Sequence, residues 1–316
     1  MWNSSLRECF ECWARTQAKY VLSPHLLRDA TAHAACKFTY QGTNTYIVGT
    51  GTQRLIIDTS GGEPAWAKLL SATLESHGIA LSHVLLTHWH GDHTGGVPDL
   101  RRLYPHLSTE IYKNEPEEGQ RNISDGQLFD VEGATVRALH VPGHSDDHMC
   151  FILEEEQAMF TGDNVLGHGT SATEDLKTFT DSLQRMADQD CVVGYSAHGV
   201  VIDDLRAKIG GELGQKLRRE KQVMQALERI RVRGIKSACV DDIVTEIYGS
   251  TLDEKTRTLA LKPFMGEVLK KLAADGSVAF ENRGGKKKWF ALGTVKRSLG
   301  RAKTTGMVVK VQAIAT

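Results

Sequence analysis

The sequence predicts an α/β layered domain over residues 1–205, a smaller helical domain over residues 206–292 and a tail over residues 293–316. Three observations carry this. First, apolar runs of strand length alternate with amphipathic stretches of helical period up to about residue 205. Second, the pattern then changes to three helices and a hairpin. Third, the charge changes sign at the same place. Residues 1–205 carry 14 Lys and Arg against 28 Asp and Glu, a net −14, while residues 206–316 carry 24 against 11, a net +13. The overall charge of −1 therefore conceals two units suited to different partners. A length of 316 residues fits two domains.

The elements follow in order. Residues 38–49, FTYQGTNTYIVG, read as strand, Gly turn and strand, and Arg54–Asp58 as a buried strand. Residues 63–77 place Trp66, Leu70, Leu74 and His77 on one helical face, with Gly78 as the stop. His83–Thr87 is a buried strand that runs into the Gly-rich loop HWHGDHTGG. Shorter strands are expected at Glu110–Lys113, Leu128–Val131, Thr135–Val141, Met149–Leu153 and Ala158–Thr161. A helix at Glu174–Met186 presents Leu176, Phe179, Leu183 and Met186, and Cys191–Tyr195 is the last strand of the unit. Beyond Asp203 a long charged helix covers 204–232, weakened in its first part by Gly210, Gly211 and Gly214. Helices at Val240–Tyr248 and Lys255–Asp275 follow, then a hairpin of Val278–Asn282 and Lys288–Leu292 across Gly284–Gly285. Three helices and a hairpin are the outline of a winged helix.

Composition excludes several classes. With 41% hydrophobic and 24% charged residues the chain is globular rather than disordered. No apolar run reaches 18 residues, so no transmembrane helix and no membrane partner are expected. Arg7, Glu8, Glu11 and Arg15 stand where a signal peptide needs an apolar stretch, so the expected location is the cytoplasm. Of six scattered cysteines only Cys9 and Cys12 have metal-like spacing, and no second pair completes four ligands. They read as reduced thiols on a helix.

The chemistry concentrates in His88-Trp89-His90-Gly91-Asp92-His93. Side chains two apart on extended backbone point the same way, so His88 and His90 can grip one ion. The turn at Gly91 lets Asp92 and His93 face a second. Three further ligand candidates follow strands and sit beside glycines: His144 in Val141-Pro142-Gly143-His144-Ser145, Asp163 in Thr161-Gly162-Asp163, and His198 in Ala197-His198-Gly199. A nitrogen and oxygen donor set of this kind suits zinc. Asn44, in Gly-Thr-Asn, reads as a turn former, and Arg101 and Arg102 as a solvated helix face.

With these motifs the chain resembles the metallo-β-lactamase-fold hydrolases, which implies an αββα sandwich followed by the small winged-helix-like domain. The resemblance implies that His88, His90 and His144 hold one divalent ion, that Asp92, His93 and His198 hold a second, and that Asp163 bridges both. The ions would be Zn2+, with Mn2+ as the alternative. The zinc-binding Cys of many true metallo-β-lactamases is replaced by Asp163, as in glyoxalase II-like enzymes. QGTNTYIVG, PGHSDDHM and FTGDNVLGHGT, together with the C-terminal domain, narrow the resemblance to two branches. One contains lactamase-like endoribonucleases, and the other fungal thioesterases that release polyketides from an acyl carrier protein. DNVLGHGTSATEDL is similar to the thioesterases. Tyr195-Ser196-Ala197-His198 departs from the family, which usually has Pro before the small residue.

That branch implies hydrolysis of a carrier-protein-bound polyketide thioester, with the acyl carrier protein domain of a polyketide synthase as partner. Nucleic acid would be the partner only under the endoribonuclease alternative; a small-thioester hydrolase of glyoxalase II type is the other. In the thioesterase branch Asp92 also carries the proton, and His148 and His168 become candidate substrate or supporting residues. Both branches tolerate the basic C-terminal part, because carrier proteins are acidic like nucleic acid. Lys286, Lys287 and Lys288 on the hairpin are the candidate contacts. Phe264, Met265 and Leu269 are candidates to cover the cleft, with a helix core as their default place.

Overall fold

The computed structural model describes residues 21–23, 26–31 and 42–292. The Cys9–Cys12 pair, the first strand expected at 38–41 and the tail from Gly293 lie outside the described residues.

A seven-stranded sheet is built in chain order from β1 (Val21–Ser23), β2 (Leu26–Thr31), β3 (Thr43–Val48), β4 (Gln53–Ile57), β5 (Ala80–Leu85), β6 (Ile111–Lys113) and β7 (Arg121–Asn122). β1 to β4 are antiparallel and β4 to β7 parallel. The strand paired with β3 is thus β2, in full register from Leu26–Val48 to Thr31–Thr43. Sequence reading missed it because LLRDAT has no clean alternation. The second sheet has the order β12-β11-β10-β9-β8. It consists of β8 (Leu128–Val131), β9 (Ala134–His140), β10 (Met149–Leu153), β11 (Ala158–Gly162) and β12 (Val193–Ser196). β12 begins two residues later than expected.

Alternation assigns the layers. Tyr46, Val48, Leu55 and Ile57 meet Phe129, Val136, Phe151 and Phe160 between the sheets. Ile47 and Ile56 point the other way, into a layer with α1 (Pro64–His77) through Trp66, Leu70 and Leu74. α1 starts with Pro in its first turn and ends at Gly78 in the left-handed conformation, φ 62°. Two short helices follow the His-rich loop: α2 (Gly91–Thr94), which was not foreseen, and α3 (Val97–Leu103), the helix expected at Arg101 and Arg102. α3 carries Arg102 outward, where it pairs with Asp99, whereas Arg101 is half-buried and donates to Glu118 O at 3.2 Å, so the solvated face expected for both holds for Arg102. Leu139, Cys150, Ile152 and Met159 face the outside of the second sheet. There they pack on α4 (Leu176–Ala187) through Phe179, Leu183 and Met186. Helix, sheet, sheet and helix are stacked as expected.

α5 (Leu205–Val232) joins the two cores. Asp204 caps it by accepting from Ala207 N. Leu205 and Ile209 pack on the second sheet, and Val223, Ala226, Leu227 and Ile230 pack in the C-terminal cluster. Burial of that first turn overrides the ~1 kcal/mol cost of each glycine, so the helix runs unbroken through Gly210, Gly211 and Gly214. α6 (Val240–Tyr248) follows. Then come one turn at Glu254–Thr256, a π-helical turn at Arg257–Leu261 and α7 (Lys262–Ala274). β13 (Val278–Arg283) and β14 (Lys286–Ala291) form the hairpin. Ile243, Met265, Leu269 and Trp289 share one cluster with α5, so three helices and a hairpin pack on one core.

Candidate metal centre

Strand direction gathers the candidates on one rim. β9 is antiparallel to β10, β10 to β11, and β11 is parallel to β12, so β9, β11 and β12 run the same way. His144, Asp163 and His198 follow their C-terminal ends. The loop after β5 brings His88, His90, Asp92 and His93 from the first sheet. Gly162 suits its place, with φ 50° and a position where a Cβ would lie 2.6 Å from His148 Nε2. Gly143, at φ 123°, is required in the next loop, because a Cβ there would lie 2.5 Å from the Phe179 backbone of α4.

All seven expected ligands come together, as two groups. His88, His90, His144 and Asp163 form one, and Asp92, His93 and His198 the other; within each, one donor atom per residue lies within 4.8 Å of the rest. In the first, His90 Nδ1 lies 2.8 Å from His88 Nε2 and 3.1 Å from His144 Nε2. In the second, His198 Nε2 and His93 Nε2 lie 3.3 Å and 3.6 Å from Asp92 Oδ2. Asp163 spans the two. Its Oδ2 is 3.6 Å from His144 Nε2, while its Oδ1 is 3.0 Å from His198 Nε2 and 3.5 Å from His93 Nε2.

The far side of each ring fixes its proton. His198 Nδ1 is 3.0 Å from Gly42 O, and His144 Nδ1 is 2.9 Å from Ala172 O. A carbonyl only accepts, so both rings carry hydrogen on Nδ1 and aim a lone pair from Nε2 into the cluster. His93 Nδ1 donates in the same way to Asp58 Oδ2 at 2.8 Å. Buried His93 Nε2, His198 Nε2 and Asp163 Oδ1 make no hydrogen bond. Convergent, dry lone pairs beside unpaired carboxylate oxygens are what a pair of divalent cations requires, so the residues fit such ions.

The electrostatics agree. Burial would raise the Asp92 carboxyl, but His198 beside it and the charge of His93 bring it down to about 2. Burial likewise opposes ionisation of Asp163, yet His93 and His198 hold it well below the usual carboxylate range. Burial lowers the His88 and His148 imidazoles, with His93 and His144 respectively adding to the effect. His198 is pulled down by burial but raised further by Asp163 and Asp92, to about 9, so its Nε2 gives up a proton and frees its lone pair only when a cation takes that place.

The other expectations divide. His148 lies outside both ligand groups; its Nε2 accepts from Asp163 N at 3.0 Å and so holds the backbone of that carboxylate. His168 is exposed and lies against Gly199, next to His198. Asn44 is no simple turn former. It sits in β3, buried, and its Nδ2 donates to Ser196 O and Gly199 O on either side of His198. Met265 and Leu269 are core residues, whereas Phe264 is exposed. Phe264 lines a groove of about 530 Å³ with Leu176, Ala172, Gln215, Lys216 and Arg219. Ser171 and Ala172, which hold His144 Nδ1, form one wall of that groove.

Two supporting residues escaped sequence reading. Asp58 accepts from His93 Nδ1, Thr87 N and Thr87 Oγ1, and Thr43 Oγ1 donates to Asp92 Oδ2 at 3.2 Å. The signal for Asp58 was a carboxylate closing the buried run RLIID.

Comparison with known proteins agrees with this geometry. Residues 39–198 match the family model described as the metallo-beta-lactamase superfamily. The chain is 65% identical over 299 residues to an atrochrysone carboxyl ACP thioesterase of Claviceps purpurea, covering 92% of this chain and 96% of that one. It is 66% identical over 271 residues to a protein of the same description from Pseudocercospora fijiensis (86% and 81% covered). It is also 58% identical over 307 residues to a lactamase-like protein of an Aspergillus species (92% and 96% covered). Among solved structures, a beta-lactamase domain protein from Burkholderia ambifaria aligns with a TM-score of 0.65 at 16% identity, covering 86% of this chain and 94% of that one; this shows the fold alone. With its ligand-bearing rim and these likenesses, the chain belongs to the metallo-β-lactamase superfamily.

Proposed function

We propose that the protein is a metal-dependent thioesterase that hydrolyses a polyketide thioester carried on an acyl carrier protein and releases the carboxylic acid. One observation carries the substrate. Proteins named as atrochrysone carboxyl ACP thioesterases are 65% and 66% identical to this chain over 299 and 271 aligned residues, more than the metal-site domain alone contains.

The residues have distinct roles. His88, His90 and His144 would hold one ion, Asp92, His93 and His198 the other, and Asp163 would join them through its two oxygens. Zn2+ suits these donors, with Mn2+ as the alternative. Such a pair of ions supplies hydroxide at neutral pH and polarises a carbonyl oxygen. Asp92 Oδ2 accepts from Thr43 Oγ1 and faces His93 and His198, which supports its role as a ligand; carrying the proton as water adds would be its second role, implied by the resemblance. The departing thiolate is a far better leaving group than an alkoxide, a free Cys thiol having a pKa of about 8.5, so it leaves without a strong general acid. The groove beside Phe264 would take the acyl chain: apolar walls face Gln215, Lys216 and Arg219, donors for its ketone oxygens. The basic hairpin with Lys286, Lys287 and Lys288 would meet the acidic carrier protein. Among the described residues no helix is long and apolar enough to cross a membrane, and the reading places the enzyme in the cytoplasm.

The test is an assay of an acyl thioester loaded on a carrier protein beside a single-stranded RNA. Release of the acid with intact RNA supports the thioesterase. Cleaved RNA with untouched thioester replaces it by the endoribonuclease, and cleavage of small free thioesters alone replaces it by a glyoxalase II-type hydrolase.

A further inference from the structure

The seven ligands come from two sheets, so something must hold the two rims at the right separation. On the side of His198 the link is plain: Asn44 and Tyr46 of β3 both donate to Ser196 O across the interface. On the side of His144 the link is a charge pair. Lys113 ends β6 of the first sheet, and Asp147 lies in the Pro142–His148 loop of the second. Lys113 Nζ is 2.5 Å from Asp147 Oδ2, with the side chains 3% and 2% exposed. The same ammonium donates to Asn114 O and Glu115 O, both at 2.9 Å, whereas Asp147 Oδ2 makes no hydrogen bond and is held by the charge alone. Asp147 Oδ1 accepts from Ser145 Oγ at 2.7 Å.

Stability alone does not account for this pair. Desolvating two charges offsets most of their attraction, and apolar replacements are often as stable. The loop it grips explains it better. Val141 N and His148 O close that loop at 2.9 Å, and within it stand His144, a ligand of the first group, and His148, which holds Asp163 N. Two of the four donors of that group thus depend on one short segment.

We infer that the buried Lys113–Asp147 pair is a positioning clamp. It fixes His144 and Asp163 of the second sheet against His88 and His90 of the first, and so sets the affinity of the first ion site. The inference rests on the two-ion reading above, not on the thioester substrate.

Zn2+ binding to the purified full chain tests it, with chelator competition for affinity, metal analysis for stoichiometry and the melting temperature alongside. K113M alone strands a buried carboxylate and should lower the melting temperature sharply. K113M/D147N removes both charges and keeps an acceptor for Ser145. It should recover most of the melting temperature yet bind one of two Zn2+ about 10-fold or more weakly, the usual size of an effect exerted through a ligand's support. D147N alone leaves the ammonium its acceptors Asn114 O and Glu115 O, so it should lower the melting temperature less than K113M, show the same loss of affinity and serve if the double variant does not fold. Wild-type affinity for both ions in either folded variant overturns the clamp. A wild type that binds one ion or none overturns the two-ion reading, and the clamp with it.

Discussion

Replacing Asp58 by Asn perturbs the site without removing a ligand. Its carboxylate is 2% exposed and fully engaged: Oδ1 accepts from Thr87 N at 2.8 Å, and Oδ2 from His93 Nδ1 at 2.8 Å and Thr87 Oγ1 at 2.9 Å. An amide has one accepting oxygen. If that oxygen keeps Thr87 N, the NH2 group faces the His93 Nδ1 hydrogen, and the ring must move its proton to Nε2, where the lone pair is needed. If it keeps His93, the NH2 group faces the Thr87 N–H, and a buried donor loses its partner at about 1–3 kcal/mol. The first outcome disables a ligand, and loss of such carboxylate support weakens metal binding about 10- to 100-fold. That corresponds to about 1.4–2.8 kcal/mol. Zinc affinity by chelator competition and turnover at saturating zinc are the assays. Asp58→Asn should weaken one of two ions and recover activity in part when zinc is raised. Wild-type affinity and full turnover would refute the assignment of His93 as an Nε2 ligand.

Other outcomes follow from the same geometry. Asp163→Asn should lower metal content and turnover together with the fold retained by circular dichroism, since one of its oxygens then becomes a donor facing imidazoles. Replacing Lys286, Lys287 and Lys288 together by Glu should slow the carrier-bound reaction, most at low salt because exposed charges are screened at high salt. Hydrolysis of a small free thioester should stay unchanged, and equal rates for the carrier-bound substrate would dismiss the hairpin as a docking surface. Phe160→Ala, at a fully buried ring packed 5.2 Å from Tyr46 and Tyr195, should cost about 3–5 kcal/mol in urea unfolding.

Much of the site was legible because its signals are local. Four candidate ligands lie within His88–His93, and each of the other candidates follows a strand whose apolar run is plain. Strand parallelism then does the gathering. Asp58 and Asn44 were not legible, because their partners lie 29 or more residues away and only the meeting of two sheets creates the contact. β1 and β7 were missed for a related reason. At the two sheet edges, backbone pairing fixes a strand without demanding an apolar pattern, and Arg121–Asn122 is exposed throughout. In the other direction, Gly210, Gly211 and Gly214 argued for a weak helix that tertiary packing kept whole.

The central claim is that two ligand groups joined by Asp163 cleave a carrier-bound thioester only when both are filled. The direct measurement titrates Zn2+ into chelator-treated protein and follows the freed carrier-protein thiol by mass spectrometry. Release should be absent without zinc and reach its plateau at about two equivalents per chain, as expected for a dinuclear site. Release from the metal-free protein, or none at two equivalents, would contradict the account.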